Sequence, residues 1–405
     1  MGGLVTSHGV GMAVPDWPTS YGYNMFALPI STWLTGGIFH EHTHRLWATE
    51  VGMLVIVLNC WLFGKKSRPV VKWLGVLLLI AGVAGLKRPN GIQSGIHIGL
   101  HGIAFFVASF YWPRGEATSK QLRWLGIASF VVVLLQGLLG GLRVVLDSQV
   151  VADVRLGTVF GIFHGCLAQG FLVLLAAIAL MTSRWWLERG RSPSAARGQE
   201  DELYNSSACF GLAERCGRGT ARAPTSLRRW FLFATILIFV QLLIAATMRH
   251  QHAGLAISDF PKAHGQWWPD MSTEAVAGYN ARRVEVTISD PITAFQIGLQ
   301  MTHRIVACLI LLAVSLCAWN ARKVQSLKPL AFTWLGLILV QVALGAWTIW
   351  SNKAADVATA HVVVGALSLV TGALGCLISF RRQTVSAASP EVPFSEMNST
   401  DRAIA

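Results

Sequence analysis

The chain has 405 residues, of which 53% are hydrophobic and 13% charged, with a formal net charge of +13. Ordinary soluble domains carry about 25% charged residues, so the composition excludes a water-soluble globule. Several uncharged apolar stretches are long enough to cross a hydrocarbon core of about 30 Å, which makes this a polytopic membrane protein. The positive charge requires no nucleic-acid partner. Lys and Arg collect in the cytoplasmic loops of such proteins, and residues 184–229 hold one such cluster.

In chain order, MGGLVTSHGV (1–10) leads into GMAVPDWP (11–18). Apolar runs then predict helices at about 38–63, 70–86, 95–112, 122–142, 156–182, 230–248, 296–319, 329–350 and 358–380. The basic stretches KKSRPVVK (65–72), RGEATSKQLR (114–123), 184–229, RKVQSLK (322–328) and RR (381–382) all fall on one side of the membrane. Taking that side as cytoplasmic puts the N-terminus outside and the C-terminus inside, with Lys87-Arg88 the one local exception. Of seven cysteines, five fall in predicted helices and Cys209 and Cys216 in the Arg-rich loop, so no exported disulfide framework is indicated.

The plan that emerges is an N-terminal half (1–183), a cytoplasmic linker (184–229), a C-terminal half (230–382) and a cytoplasmic tail (383–405). The halves echo each other. GMAVPDWP returns as GLAISDFP (254–261), T-H-R at 43–45 returns at 302–304, and QGLLGG (136–141) returns as QVALGA (341–346). His164 and His361 lie on the closing helices. Four elements in the same order point to repeats. The expected fold is therefore an all-α polytopic membrane protein of two homologous four-helix bundles related by pseudo-twofold symmetry. Two irregularities are expected. A helix of about 20 residues is missing before GMAVPDWP, and a helix pair over 70–112, a degenerate copy of 122–171, is inserted in the first half.

His44, His164, His303 and His361 each lie within about two turns of the outer end of their helices, in one layer near the external face. A lone histidine in a helix is ordinarily a packed core residue, but four at equivalent places mark ligation. FHEHTHR (39–45) spells the zinc-protease pattern H-E-x-x-H, yet the second half has Gln300 for Glu41 and Met301 for His42. The unit common to both halves is His followed by Arg. Two histidines on different helices of one bundle suit a haem iron held from both faces, with Arg45 and Arg304 placed to pair with propionates. Glu41 has no carboxylate counterpart, which points to chemistry in the first site and cofactor holding in the second.

The segments GGLVTSHGVGMAVPDWPTSYGYNMF, EHTHRLWATEVG, QGLLGGLRVVLDS, HGCLAQ, TMRHQHAGLAISDFP, MTHRIVA and ATAHVVVGALSLV resemble those of haem A synthases. The resemblance covers nearly the whole chain outside 70–112, 184–229 and the residues after 382. It implies eight membrane helices in two halves and oxidation of the C8 methyl of haem O to the formyl group of haem A, by successive hydroxylations. It implies that His44 and His164 bracket the substrate haem O, that His303 and His361 ligate a haem b, and that Glu41 is the essential carboxylate of an E-x-x-H-R motif. It further implies a haem O synthase as donor, an unidentified electron acceptor, and a bacterial cytoplasmic membrane; a homo-oligomer is compatible with it. The paired external-loop cysteines of some members have no counterpart here. His101 rivals His164 as a ligand, and the fuller HGCLAQ motif favours His164. His97 and His42 are expected to pack or to steady a ligand, and His8 and His250 to lie at the external mouth near propionates. The competing classes are a di-haem b-type electron carrier, an intramembrane zinc protease and a transporter. Glu41's asymmetry, the T-H-R echo and the off-centre histidine layer argue against each in turn.

Overall fold

The computed structural model describes residues 1–88, 91–151, 154–188, 220–221, 223–283, 291–381 and 383–384. Most of the expected linker, nearly all of the tail, and Cys209 and Cys216 lie outside the described residues. A short helix α1 (Gly2–Ser7) is followed by α2 (Gly36–Leu62), α3 (Arg68–Leu86), α4 (Ile92–Phe110), α5 (Lys120–Val145), α6 (Leu156–Thr182), α7 (Thr225–His250), α8 (Thr273–Ala281), α9 (Ala294–Ala321), α10 (Lys328–Trp350) and α11 (Ala355–Phe380). Among the described residues nine of these, α2 to α7 and α9 to α11, are long and apolar enough to cross a membrane. They fall where hydropathy predicts, because backbone in lipid must satisfy its own hydrogen bonds within a helix. Their ends are marked locally: the Ser119 hydroxyl accepts from Leu122 N–H (3.3 Å) at the start of α5, and Thr293 and Gln296 form a reciprocal capping box on α9. The chain is an all-α, multi-pass integral membrane protein.

In the second half α7, α9, α10 and α11 pack in a closed ring, each against the next. Its core is well buried: Leu227, Phe231, Val314, Cys317, Leu327 and Trp334 have no measurable exposure, and the Phe231 and Trp334 rings stack 5.5 Å apart. In the first half α2 packs on α5 and α5 on α6, while α1 packs on α2. Between halves α6 meets α7 and α11, and α1 meets α11. The numbering offset between GMAVPDWP and GLAISDFP aligns α1 with the last turns of α7. The α1–α2 and α1–α11 contacts thus match α7–α9 and α7–α6.

The 70–112 pair forms a hairpin, α3–α4, whose axes approach closely through glycine. A Cβ on Gly82 would stand 2.8 Å from Gly99 Cα, and one on Gly102 would stand 2.6 Å from Leu79 N. Small residues let backbones approach where lipid removes the hydrophobic drive between helices. The hairpin leans on α2 and on the turn at Met25–Ala27. Gly99 itself has open space around a Cβ. Gly102→Ala is therefore expected to lower stability by about 1–3 kcal/mol through overpacking, with Gly99→Ala close to neutral, in thermal unfolding of the detergent-solubilised protein.

Candidate functional site

Each half carries a loop folded back over the outer ends of its helices, and the two loops have the same construction. In the first, the Asp16 carboxylate accepts from the Thr19 hydroxyl (2.5 Å) and from the Tyr21 and Gly22 amides (2.7 and 2.9 Å). In the second, Asp259 accepts from the His264 and Gly265 amides (2.6 and 2.8 Å). Tyr21 (φ 54°), Gly22 (φ 74°), His264 (φ 52°) and Gly265 (φ 81°) all adopt the left-handed conformation. The ring tips also correspond, for Tyr21 donates to the Ala13 carbonyl and His264 Nε2 lies 3.0 Å from the Ala256 carbonyl. Burial raises the Asp16 pKa, but the Thr19 hydroxyl and the loop amides outweigh it and hold the carboxyl below its ordinary value. This anchor is therefore fully present above the ordinary carboxylate range and is lost as pH falls through the depressed value.

The T-H-R arginines bind these loops. Arg45 donates to the carbonyls of Asp16 (2.6 Å), Val14 (2.7 Å) and Thr19 (3.0 Å) and to Glu41 Oε1 (2.8 Å). Arg304 donates to the carbonyls of Asp259 (2.7 Å) and Lys262 (2.8 Å). The buried residue three places before each histidine does the complementary job. Glu41 Oε2 accepts from Val14 N–H (2.9 Å), and Gln300 Oε1 accepts from Ile257 N–H (2.7 Å). Glu41 and Gln300 are thus equivalent loop ties, one a carboxylate and the other an amide.

The four histidines fall into two facing pairs. His44 and His164 have ring centroids 6.4 Å apart, and His303 and His361 6.5 Å apart. Within each pair they come from α2 and α6, or α9 and α11, helices that stand across the bundle from each other. The QxxLG repeat builds the seat. A Cβ on Gly140 would lie 3.2 Å from His164 Cε1, and one on Gly345 3.2 Å from His361 Cε1. His164 Nδ1 lies 3.1 Å from the Gln136 carbonyl. Donating its proton there leaves the Nε2 lone pair for a metal. The Nδ1 atoms of His303 and His361 are buried with no hydrogen-bond partner. Two metal–imidazole bonds of about 2 Å each, plus the ring radii, take up a separation of this size. Each pair therefore fits one iron held from both sides, the donor set of a bis-histidine haem.

A cavity of about 910 Å³ opens beside the first pair, lined by His44, His164, Glu41 and apolar residues of α2, α5, α6 and α7. Arg45 stands on its wall as well, with two further cations, Arg143 and Arg249, that escaped the sequence reading because neither belongs to a repeated motif. Arg143 stands close to Gly11, and Arg249 donates to the Gly3 carbonyl and the Ser7 hydroxyl (both 2.9 Å). His250 also lines the cavity, seated over Gly161. His42 is buried against Ser20 Oγ (3.2 Å) and the edge of Trp33, and His8 stacks on His40 at 4.5 Å. His97 and His101 gather on Glu50 of α2, six residues past His44, and His164, not His101, faces His44.

Fold and site define a multi-pass helical membrane protein with two opposed histidine pairs. A family model described as "Cytochrome oxidase assembly protein" (COX15-CtaA) matches residues 95–373, and the chain belongs to that family. A protein named heme A synthase from Shouchella clausii (strain KSM-K16) is 23% identical over 229 residues, 56% of this chain. The match spans 57% of that relative's length.

Removing the Glu41 side chain would leave Val14 N–H and one Arg45 donor unmatched in a buried site. Glu41→Ala is expected to cost about 3–5 kcal/mol. Glu41→Gln, which copies the Gln300 arrangement, should cost much less. Denaturant unfolding of the two variants in detergent compares them.

Proposed function

We propose that the protein is a haem A synthase, oxidising the C8 methyl of haem O to a formyl group for terminal oxidases. The observation that carries this reading is the cavity at the His44–His164 pair, bounded by a buried carboxylate and three arginines, in a chain of this family. In this reading haem O occupies the first site between His44 and His164, and a haem b is held by His303 and His361. The iron supplies redox chemistry. A methyl becomes a formyl group by gaining oxygen from water and giving up protons and electron pairs. A haem b held by His303 and His361 would supply a redox centre able to take up those electrons.

The residues of this chain supply the rest. His44 and His164 orient the macrocycle. Arg143 and Arg249 join Arg45 on the wall of the first cavity as cations for the propionates, and Arg304, held on the carbonyls of Asp259 and Lys262, stands beside the second pair. Glu41 holds the loop through Val14 N–H and presents its carboxylate on the cavity wall, where it stabilises developing positive charge or takes a proton as water adds. A haem O synthase is the natural donor of the substrate, and the domain plan of two haem-holding halves joined by the 184–229 linker belongs to the same proposal.

The decisive test is haem extraction from membranes that express this chain with a haem O synthase, read by chromatography and mass spectrometry. Haem A is expected only when the chain is present. Glu41→Gln is expected to retain bound haem and to lower conversion by at least about a hundredfold; full turnover in that variant would remove the carboxylate from the chemistry. His303→Ala is expected to lose the absorbance of one low-spin haem. Bound haem with no conversion in the wild-type chain would favour an electron carrier.

A further inference from the structure

Among the described residues, the ligand atoms of Glu50, His97 and His101 lie within 4.8 Å of one another, on two different parts of the fold. We propose that these three residues bind a divalent first-row transition ion, with zinc the preferred occupant, and that the ion clamps the α3–α4 hairpin to α2.

The hydrogen-bond pattern points to a cation. His101 Nδ1 lies 3.0 Å from the His97 carbonyl one turn before it, and a carbonyl only accepts, so Nδ1 carries the proton. In the neutral ring Nε2 then carries a lone pair, and it faces Glu50 Oε2 at 3.0 Å. Two lone pairs at that distance need a positive species between them. His97 Nε2 stands 3.2 Å from the other carboxylate oxygen, Oε1, but it is buried and makes no aligned hydrogen bond. A proton on His101 would satisfy one contact and leave His97 as it is. Protonating both rings would set two cations 4.6 Å apart, which is costly. A single ion satisfies all three atoms together.

The donor set selects the class of ion. Two imidazoles and one carboxylate suit zinc and its first-row neighbours, whereas magnesium and calcium require oxygen ligands. The supporting structure is fixed. The His97 ring stacks on Phe26 at 4.1 Å, and the glycine contacts hold α3 and α4 together. The side chains are only partly exposed (Glu50 37%, His97 31%, His101 18%), so the three ligand atoms sit at the junction of α2 and α4. This site is separate from both histidine pairs and does not depend on the haem reading.

The full-length protein, purified in detergent with a histidine-free tag and stripped with EDTA, would be dialysed against buffered Zn²⁺. Metal content would be measured by mass spectrometry and the zinc environment by X-ray absorption at the zinc edge. About one zinc per chain with nitrogen and oxygen neighbours is expected, bound at least about tenfold more weakly in Glu50→Gln, His97→Ala and His101→Ala. Helical circular dichroism and a monodisperse size-exclusion profile, unchanged in these variants, would report that they fold. Should a variant fail to fold, the wild-type unfolding midpoint supplies the test and is expected to rise with Zn²⁺ and not with Mg²⁺. No bound zinc, equal zinc in wild type and variants, sulfur neighbours at the zinc edge, or a midpoint insensitive to Zn²⁺ would each overturn the proposal.

Discussion

A polypeptide loop laid across the end of a membrane bundle exposes N–H and C=O groups where little water can reach them, and each must find a partner. The rest of this structure depends on how that demand is met. Arg45 and Arg304 supply donors to the loop carbonyls, while Glu41 and Gln300 supply acceptors to the loop amides. All four sit beside the histidines on the same helices, at spacings that put them within one turn. Docking the loop and aiming the histidine are therefore one structural act. The loop roofs the bundle only if α2 and α9 present the right face, and that face carries His44 and His303 inward.

This coupling explains why the loops and the histidines come in the same order in both halves. It also changes the meaning of the one difference between them. Glu41 first stood out as a carboxylate without a counterpart, but Gln300 performs the same tie. What separates the sites is the charge that Glu41 brings and the cations on the cavity wall, Arg143 and Arg249. Gln can replace the hydrogen bond to the loop and cannot replace the charge, which is why substitution by glutamine separates structural from chemical roles.

The α3–α4 hairpin follows different physics. It holds itself together by backbone approach at glycines rather than by ridges of large side chains, and meets α2 through a small polar group in an otherwise apolar surface. Polar side chains in such surroundings are expensive unless partnered, so the Glu50, His97 and His101 cluster draws on the same constraint as the loops.

Much of this was legible in the sequence. The nine spans follow from uninterrupted apolar runs, since in lipid a backbone has few other ways to satisfy itself. The four paired histidines stand out because they recur in the same order in both halves, which a lone packed ring does not. His164 could be preferred over His101 on motif alone. Other features required the folded chain. Whether Arg45 faces a ligand or a carbonyl depends on where residues 13–20 return, and spacing along one helix does not report that. Arg143, Arg249 and Glu50 belong to no repeat, and their neighbours come from distant segments: Arg249 meets Gly3 and Ser7, and Glu50 meets His97 and His101. A sequence specifies periodicity and local chemistry directly. Which polar groups meet is decided by the packing of elements far apart in the chain, so only the tertiary structure assigned these side chains their partners.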